Sequence, residues 1–144
     1  MKEIITDVLV LGGGGAGARA AIEASKFDVE VTIVAKGLFA KSGATAMAEG
    51  GYAAAIGQYD PKDNTDIHFR DTVTAGKFLG NQKLVRILAD EAPERLLDLE
   101  SYGVIFDREP DGRLHAHRPG GHSYARSYSH GDRTGHEIMI ALKG

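Results

Sequence analysis

The chain has 144 residues, no cysteine and a formal net charge of −3. That length suffices for one modest domain. The missing thiols exclude disulfides, an iron–sulfur centre and a zinc–thiolate site within the sequence. The slight acidity argues against a general nucleic-acid binder, and no apolar run is long enough to span a bilayer. The start, MKEIITDVLVLGG, is too short an apolar run for a signal peptide, and glycines end it. A cytoplasmic protein is the expectation.

The first element is an apolar strand, placed at 4–11, that runs straight into glycines. The frame Gly12-x-Gly14-x-x-Gly17 stands where the strand gives way to an alanine-rich helix, placed at 15–26. Gly12 permits the tight turn, Gly14 lets the backbone approach a pyrophosphate, and Gly17 lets helix and strand close on each other. The helix start presents N–H groups and the positive dipole end to phosphates. A second strand, Val29 to Ala35, is β-branched and alternating, which completes a βαβ unit. A P-loop is excluded because Ala18-Arg19 stands where lysine and a hydroxyl are required. The second strand ends Val34-Ala35-Lys36 without the acid that holds ribose hydroxyls in many dinucleotide folds. Either backbone and Lys36 hold the ribose, or the ligand is not NAD.

Lys36 to Gly57 is too long and too rich in small residues for an ordinary βα loop. Such a backbone lies flat against a large planar ligand and offers it unhindered N–H groups. A flavin ring is one such ligand. A small-residue helix at Thr45 to Ala48, packed into the core, is a compatible second reading, although it leaves Gly50-Gly51 unexplained.

Further on, Tyr59 to Asn64 is a turn cluster. Thr65 is placed as the cap of a helix holding Ile67, His68 and Val73, with Phe78 and Leu79 across the next turn. His68 is read as structural or surface. Asn81 to Asp90 reads as a helix with Leu84, Ile87 and Leu88 on one face. Pro93 is placed at the start of another helix, which Gly103 ends. Residues 104–107 and 113–117 form the strands of a hairpin around Pro110-Asp111-Gly112. Arg113 to His136 is locally cationic, with Arg113, Arg118, Arg126 and Arg133. It suits carboxylates or phosphates, or else ion pairs with acids elsewhere. His115 and His117 share a strand face but lack a third ligand, and His136-Glu137 is not a zinc-protease motif, so no metal residue is nominated. The chain ends in an apolar-faced helix, Thr134 to Leu142.

GGGGAGARAAIEAS, VAKGLFAKSGATAMAEGG and HRPGGHSYARSYSHGDRTGHEIMIALKG resemble, in order and in register, the flavoprotein subunit of succinate dehydrogenase and fumarate reductase, a group that includes L-aspartate oxidase. The resemblance implies an α/β fold, the N-terminal portion of a Rossmann-like FAD-binding domain spanning 1–144. It explains the missing acid, since the group commonly carries a small residue plus lysine there. It implies FAD held by Gly12, Gly13, Gly14, Gly15, Ala16 and Gly17, by Val34, Ala35 and Lys36, and by Ser42, Gly43, Ala44, Thr45, Ala48, Glu49, Gly50 and Gly51. Respiratory members bond the flavin covalently through a histidine, and Ala44 occupies that position, so the FAD is expected to be non-covalent. Covalent substitution raises a flavin's potential, so Ala44 tilts the reading toward fumarate reduction or aspartate oxidation.

The implied reaction is hydride transfer between flavin and a C4 dicarboxylate, with an iron–sulfur subunit taking part in the full-length complex. Any membrane attachment would run through partner subunits at the inner face. GGHSYAR leans toward L-aspartate oxidase, whereas DRTGHEIM and MAEGG lean toward the succinate and fumarate enzymes. A non-catalytic nucleotide-binding fragment is the remaining reading. The family's chains are several times longer and carry a capping domain with the proton donor and substrate arginine. No catalytic residue is therefore nominated here, and an N-terminal piece of a longer flavoprotein is expected, with apolar surface left open around Ile138, Ile140 and Leu142.

Overall fold

A computed structural model describes residues 3–144. Met1 and Lys2, the start of the N-terminal run, lie outside the described residues. In chain order the elements are β1 (Val8–Leu11), α1 (Gly15–Ala24), β2 (Val31–Val34), β3 (Tyr52–Ala53), α2 (Thr65–Ala75), α3 (Gln82–Ser101), β4 (Ala116–His117), β5 (Ser127–Tyr128) and α4 (Thr134–Lys143).

β1 and β2 pair in parallel, with Val8 opposite Val31 and Leu11 opposite Val34. Both strands are shorter than their sequence patterns. Before Val8 the Asp7 and Val8 N–H groups both converge on Glu30 O at 3.1 and 3.0 Å, and side chains join them: the Thr6 hydroxyl donates to Glu30 O at 2.9 Å, and the Asp7 carboxylate accepts the Glu30 N–H at 2.8 Å. α1 ends at Ala24 because the Ser25 hydroxyl turns back to Ile22 O at 2.9 Å. Ala18 and Ala21 are buried, and their small side chains allow close packing of α1. A second, antiparallel sheet has the order β3-β5-β4.

α2 is capped by Asn64, not Thr65: the Asn64 carboxamide oxygen accepts the Ile67 N–H at 3.0 Å. The helix does not continue to Phe78 and Leu79. Lys77 and Phe78 adopt left-handed φ of 51° and 61°, the Phe78 N–H closes on Val73 O at 3.0 Å, and both Phe78 and Leu79 end exposed.

α3 corrects a second expectation. It runs unbroken through Pro93 as one helix, where the sequence suggested two. An internal proline costs about 3 kcal/mol in an isolated helix. Here Ala89 and Ala92 before it and Leu96 and Leu99 after it are buried, which holds both halves in one helix. The same choice of face leaves Leu84, Ile87 and Leu88 exposed. The turn at Gly112 forms, but 104–107 is not a strand and only Arg108 bridges Leu114. The Asp107 N–H instead donates to Ser129 O at 2.8 Å, and β4 pairs with β5. Leu96, Phe106, Tyr128 and Met139 join α3, β5 and α4 in a buried core. On α4, Leu142 is buried and Ile138 is packed against that core, so Ile140 is the apolar residue left exposed.

Candidate functional site

The site begins where β1 ends. The Gly12 N–H donates to Val34 O at 2.8 Å, which carries the parallel pairing one step past the strands. Gly12 then turns with φ of +116°, a conformation that glycine adopts without a Cβ penalty. A Cβ on Gly17 would lie 2.0 Å from Gly12 O, so a side chain there would force α1 away from the turn. A Cβ on Gly13 would meet the Phe39 ring at 2.9 Å and Ala35 at 3.0 Å. Gly14 caps α1 with no side chain, and the first turn of α1 carries no acid. The positive end of the helix is thus not neutralised from within.

Gly12, Gly13 and Gly14 share one open cleft of about 510 Å³ with Ala35, Lys36, Gly37, Leu38, Ser42 and Gly43. Seven of the residues named from the sequence line it: three of the glycine turn, two at the end of β2 and two of the loop. Gly37 and Leu38 are additional; only their position next to Lys36 signals them. The other residues named from the sequence do not line this cleft.

The loop after Gly43 is a turn, not a core helix. Met47 N–H reaches Ala44 O at 3.3 Å and Ala48 N–H reaches Thr45 O at 3.1 Å, while Met47 and Ala48 stay exposed. Thr45 ties the loop to α1 by accepting the Gly15 N–H on its hydroxyl at 3.1 Å. Ala48 O accepts the Gly135 N–H at 2.9 Å, which ties the loop to the start of α4. Gly51 lies against β5, where a Cβ would come within 2.4 Å of the Ser127 hydroxyl and 2.6 Å of Tyr128 O. Gly50 faces open space. Ala48 and Glu49 line a second cavity of about 320 Å³ with Ala46, Met47, Asp132, Arg133 and His136. Gly15 and Thr45 line a third, mostly apolar one with Tyr52, Leu99, Tyr102 and Leu142. Ala16, Val34 and Ala44 are placed at the edges of this arrangement: Ala16 in the first turn of α1, Val34 at the end of β2 and Ala44 exposed in the loop.

A glycine edge, a helix start whose N-cap has no side chain and a loop of small residues fit a phosphate-bearing planar cofactor. A protein-family model described as "FAD binding domain" matches residues 7–144. The chain belongs to this FAD-binding family. It is 56% identical, over 95% of its length, to a component of the fumarate reductase (CoM/CoB) of Methanothermobacter marburgensis, and covers 25% of that protein. It is 41% identical, over 94% of its length, to a chloroplastic L-aspartate oxidase of Oryza sativa subsp. japonica, covering 20% of it. Among solved structures, Mycobacterium smegmatis Sdh1 in complex with UQ1 superimposes with a TM-score of 0.93 at 46% identity, over 99% of this chain and 24% of that one. The chain therefore spans about a quarter of the length of the relatives it matches. No helix among the described residues is long and apolar enough to cross a membrane.

The cationic segment is largely paired within the chain. Arg113 bonds Asp111 at 2.7 Å, and Arg133 lies 3.4 Å from Glu137. Arg126 is fully buried: Nη2 and Nε donate to Asp63 at 2.7 and 3.2 Å, and Nη1 donates to Asp71 at 2.9 Å. Burial pushes the Asp71 carboxyl up. The Ser123 N–H and hydroxyl, with the charge and hydrogen bond of Arg126, outweigh that and hold it below its usual range. His68 lies beside this cluster, 2% exposed, with its ring centroid 5.6 Å from that of His122. Burial, then the Arg126 charge and His122, bring the His68 pKa down to about 4, and burial also lowers His122. Burial raises the Tyr128 phenol to about 12. His115 and His117 are exposed, and His115 bonds Glu109 at 2.8 Å. Among the described residues no cluster has the ligands to hold a metal ion.

Proposed function

We propose that this chain is the FAD-binding portion of a flavoprotein that interconverts fumarate and succinate. The observation that carries the reading is the meeting of the glycine turn, the end of β2 and the small-residue loop around one cleft. In this reading Gly13, Gly14 and the N-terminus of α1 hold the pyrophosphate, and Ala35 and Lys36 lie along the adenosine. Ser42 to Gly51 carry the flavin ring on exposed backbone. The remaining nominated residues act through shape: Gly17 sets the helix against the turn, and Gly15 with Thr45 joins the phosphate end to the ring end. When bound, FAD supplies hydride transfer to and from a C4 dicarboxylate. The residues of this chain bind and orient it; the proton donor and the substrate arginine belong to a capping domain outside residues 1–144.

One point supports fumarate over aspartate chemistry. One relative at 56% identity is named a fumarate reductase, against 41% for the L-aspartate oxidase. Ala44 offers no imidazole for a histidyl–flavin bond, which suits a flavin of lower potential and so favours fumarate reduction or aspartate oxidation over succinate oxidation, without separating the first two. The electron partner in this reading is an iron–sulfur subunit, and the complex sits on the cytoplasmic side, attached to a membrane only through other subunits.

The test uses the protein encoded by the complete reading frame. It should purify yellow or take up FAD, and then reduce fumarate or oxidise succinate with a dye as the electron partner. A colourless protein that ignores FAD refutes the cofactor assignment. Turnover of aspartate alone replaces the fumarate reading by the oxidase one.

A further inference from the structure

The small-residue loop is gripped from behind by two surfaces that lie outside the cleft. On one side is the first turn of α4. A Cβ on Gly135 would stand 1.9 Å from Thr45 O, 2.9 Å from the Ala48 Cβ and 3.0 Å from Ala48 O. On the other side is β5, with Ser127 and Tyr128 against Gly51. Neither surface can retreat. Thr134 and Met139 are buried on α4, and the Thr134 hydroxyl accepts the His130 N–H at 3.1 Å. β5 follows directly on Arg126, which is pinned by Asp63 and Asp71. The loop itself is the soft part, since Ser42, Gly43, Ala44, Met47 and Ala48 are exposed. A group added at either surface must therefore displace the loop.

We propose that Gly135 is a positioning residue for the flavin: by carrying no side chain it lets Thr45 to Ala48 settle at the depth that the ring requires, with Ser127 setting the other edge at Gly51. This inference rests on the reading of the loop as the flavin carrier. Gly135 itself touches no part of the cleft, and Thr45 transmits its effect to both the loop and the Gly15 N–H.

The test compares wild type, Gly135→Ala and Lys143→Ala in the full-length protein. Lys143 is exposed in the last turn of the same helix, remote from the loop. FAD affinity is read by fluorescence quenching, and the flavin midpoint potential by dye equilibration on the loaded protein. Gly135→Ala should weaken FAD binding about tenfold or more and shift the potential, while Lys143→Ala matches wild type. Wild-type affinity and potential in Gly135→Ala overturn the inference, whatever happens to thermal stability. If Gly135→Ala does not fold, Ser127→Thr presses on the same loop by one methyl group beside Gly51. It should shift the potential too, and an unshifted value overturns the inference. Failure of wild type to bind FAD strikes the cofactor reading instead, so the two failures are distinct.

Discussion

Replacement of Arg126 by methionine tests the buried ion cluster directly. Arg126 is 0% exposed and makes three hydrogen bonds to carboxylates, two to Asp63 and one to Asp71. The two acids are not equally dependent on it. Asp71 keeps the Ser123 N–H and hydroxyl, each at 2.7 Å. Asp63 is 7% exposed and loses the bonds that Arg126 gave its side chain. Removing one partner of a buried pair costs about 3 to 5 kcal/mol, because the other charge stays desolvated. For a chain of this size that corresponds to a fall in Tm of about 10 to 16 °C, or about 2 M in urea midpoint at a slope near 2 kcal/mol/M. Arg126→Met combined with Asp63→Asn removes the stranded charge and should recover about half of the loss. The assay is urea denaturation followed by far-UV circular dichroism on wild type, both single variants and the double variant. A loss under about 1 kcal/mol for Arg126→Met, or a double variant equal to the sum of the singles, refutes the reasoning.

Acid or heat denaturation of the full-length protein should release all of its FAD into the supernatant, because Ala44 has no nucleophile; flavin fluorescence travelling with the denatured band on a gel contradicts this. His68 titrates near 4 when folded against about 6.5 when unfolded, so its contribution is complete above pH 6.5 and is lost as pH falls toward 4. The loss should reach about 3 kcal/mol at pH 4. Urea midpoints across that range should fall less steeply in His68→Leu than in wild type, and parallel slopes contradict the assignment. The 144-residue chain alone should bind FAD weakly and turn over no succinate, fumarate or aspartate, since a site of this kind buries most of its ligand and one wall lies outside these residues. Tight binding with turnover in a dye-coupled assay contradicts the capping-domain proposal.

The β1-α1-β2 unit is legible in the sequence because its signals are local: a β-branched run, a glycine frame and a helix period adjoin one another. The same holds for the loop residues Ser42 and Gly43, whose small size is written in the sequence. Elements decided by distant contacts are not legible in this way. Pro93 breaks a helix by local rules, yet buried Ala92 and Leu96 on either side keep α3 whole. Leu84, Ile87 and Leu88 have helical spacing and still face outward, because α3 buries its alanine and leucine face instead. Arg126 reads as one of four arginines in a basic stretch, suited to an anionic ligand or to ion pairs with acids elsewhere, and the sequence does not say which acids. Its partners Asp63 and Asp71 are far away in sequence, and no local pattern joins them. The two glycines Gly51 and Gly135 differ in the same respect. Gly51 is expected at the cofactor because it sits in the loop, and its missing side chain also makes room for β5, which no local pattern announces.

The hydrogen bond from Gly135 to Ala48 has a consequence for biosynthesis. The loop leaves the ribosome about 90 residues before the helix turn on which it rests. At roughly 5 to 20 residues per second, the nascent loop waits about 5 to 20 s for that support. During this interval the residues of the glycine turn and β2 have been made, while the loop proposed to carry the ring has no α4 behind it. The loop therefore reaches its final position only after α4 has emerged.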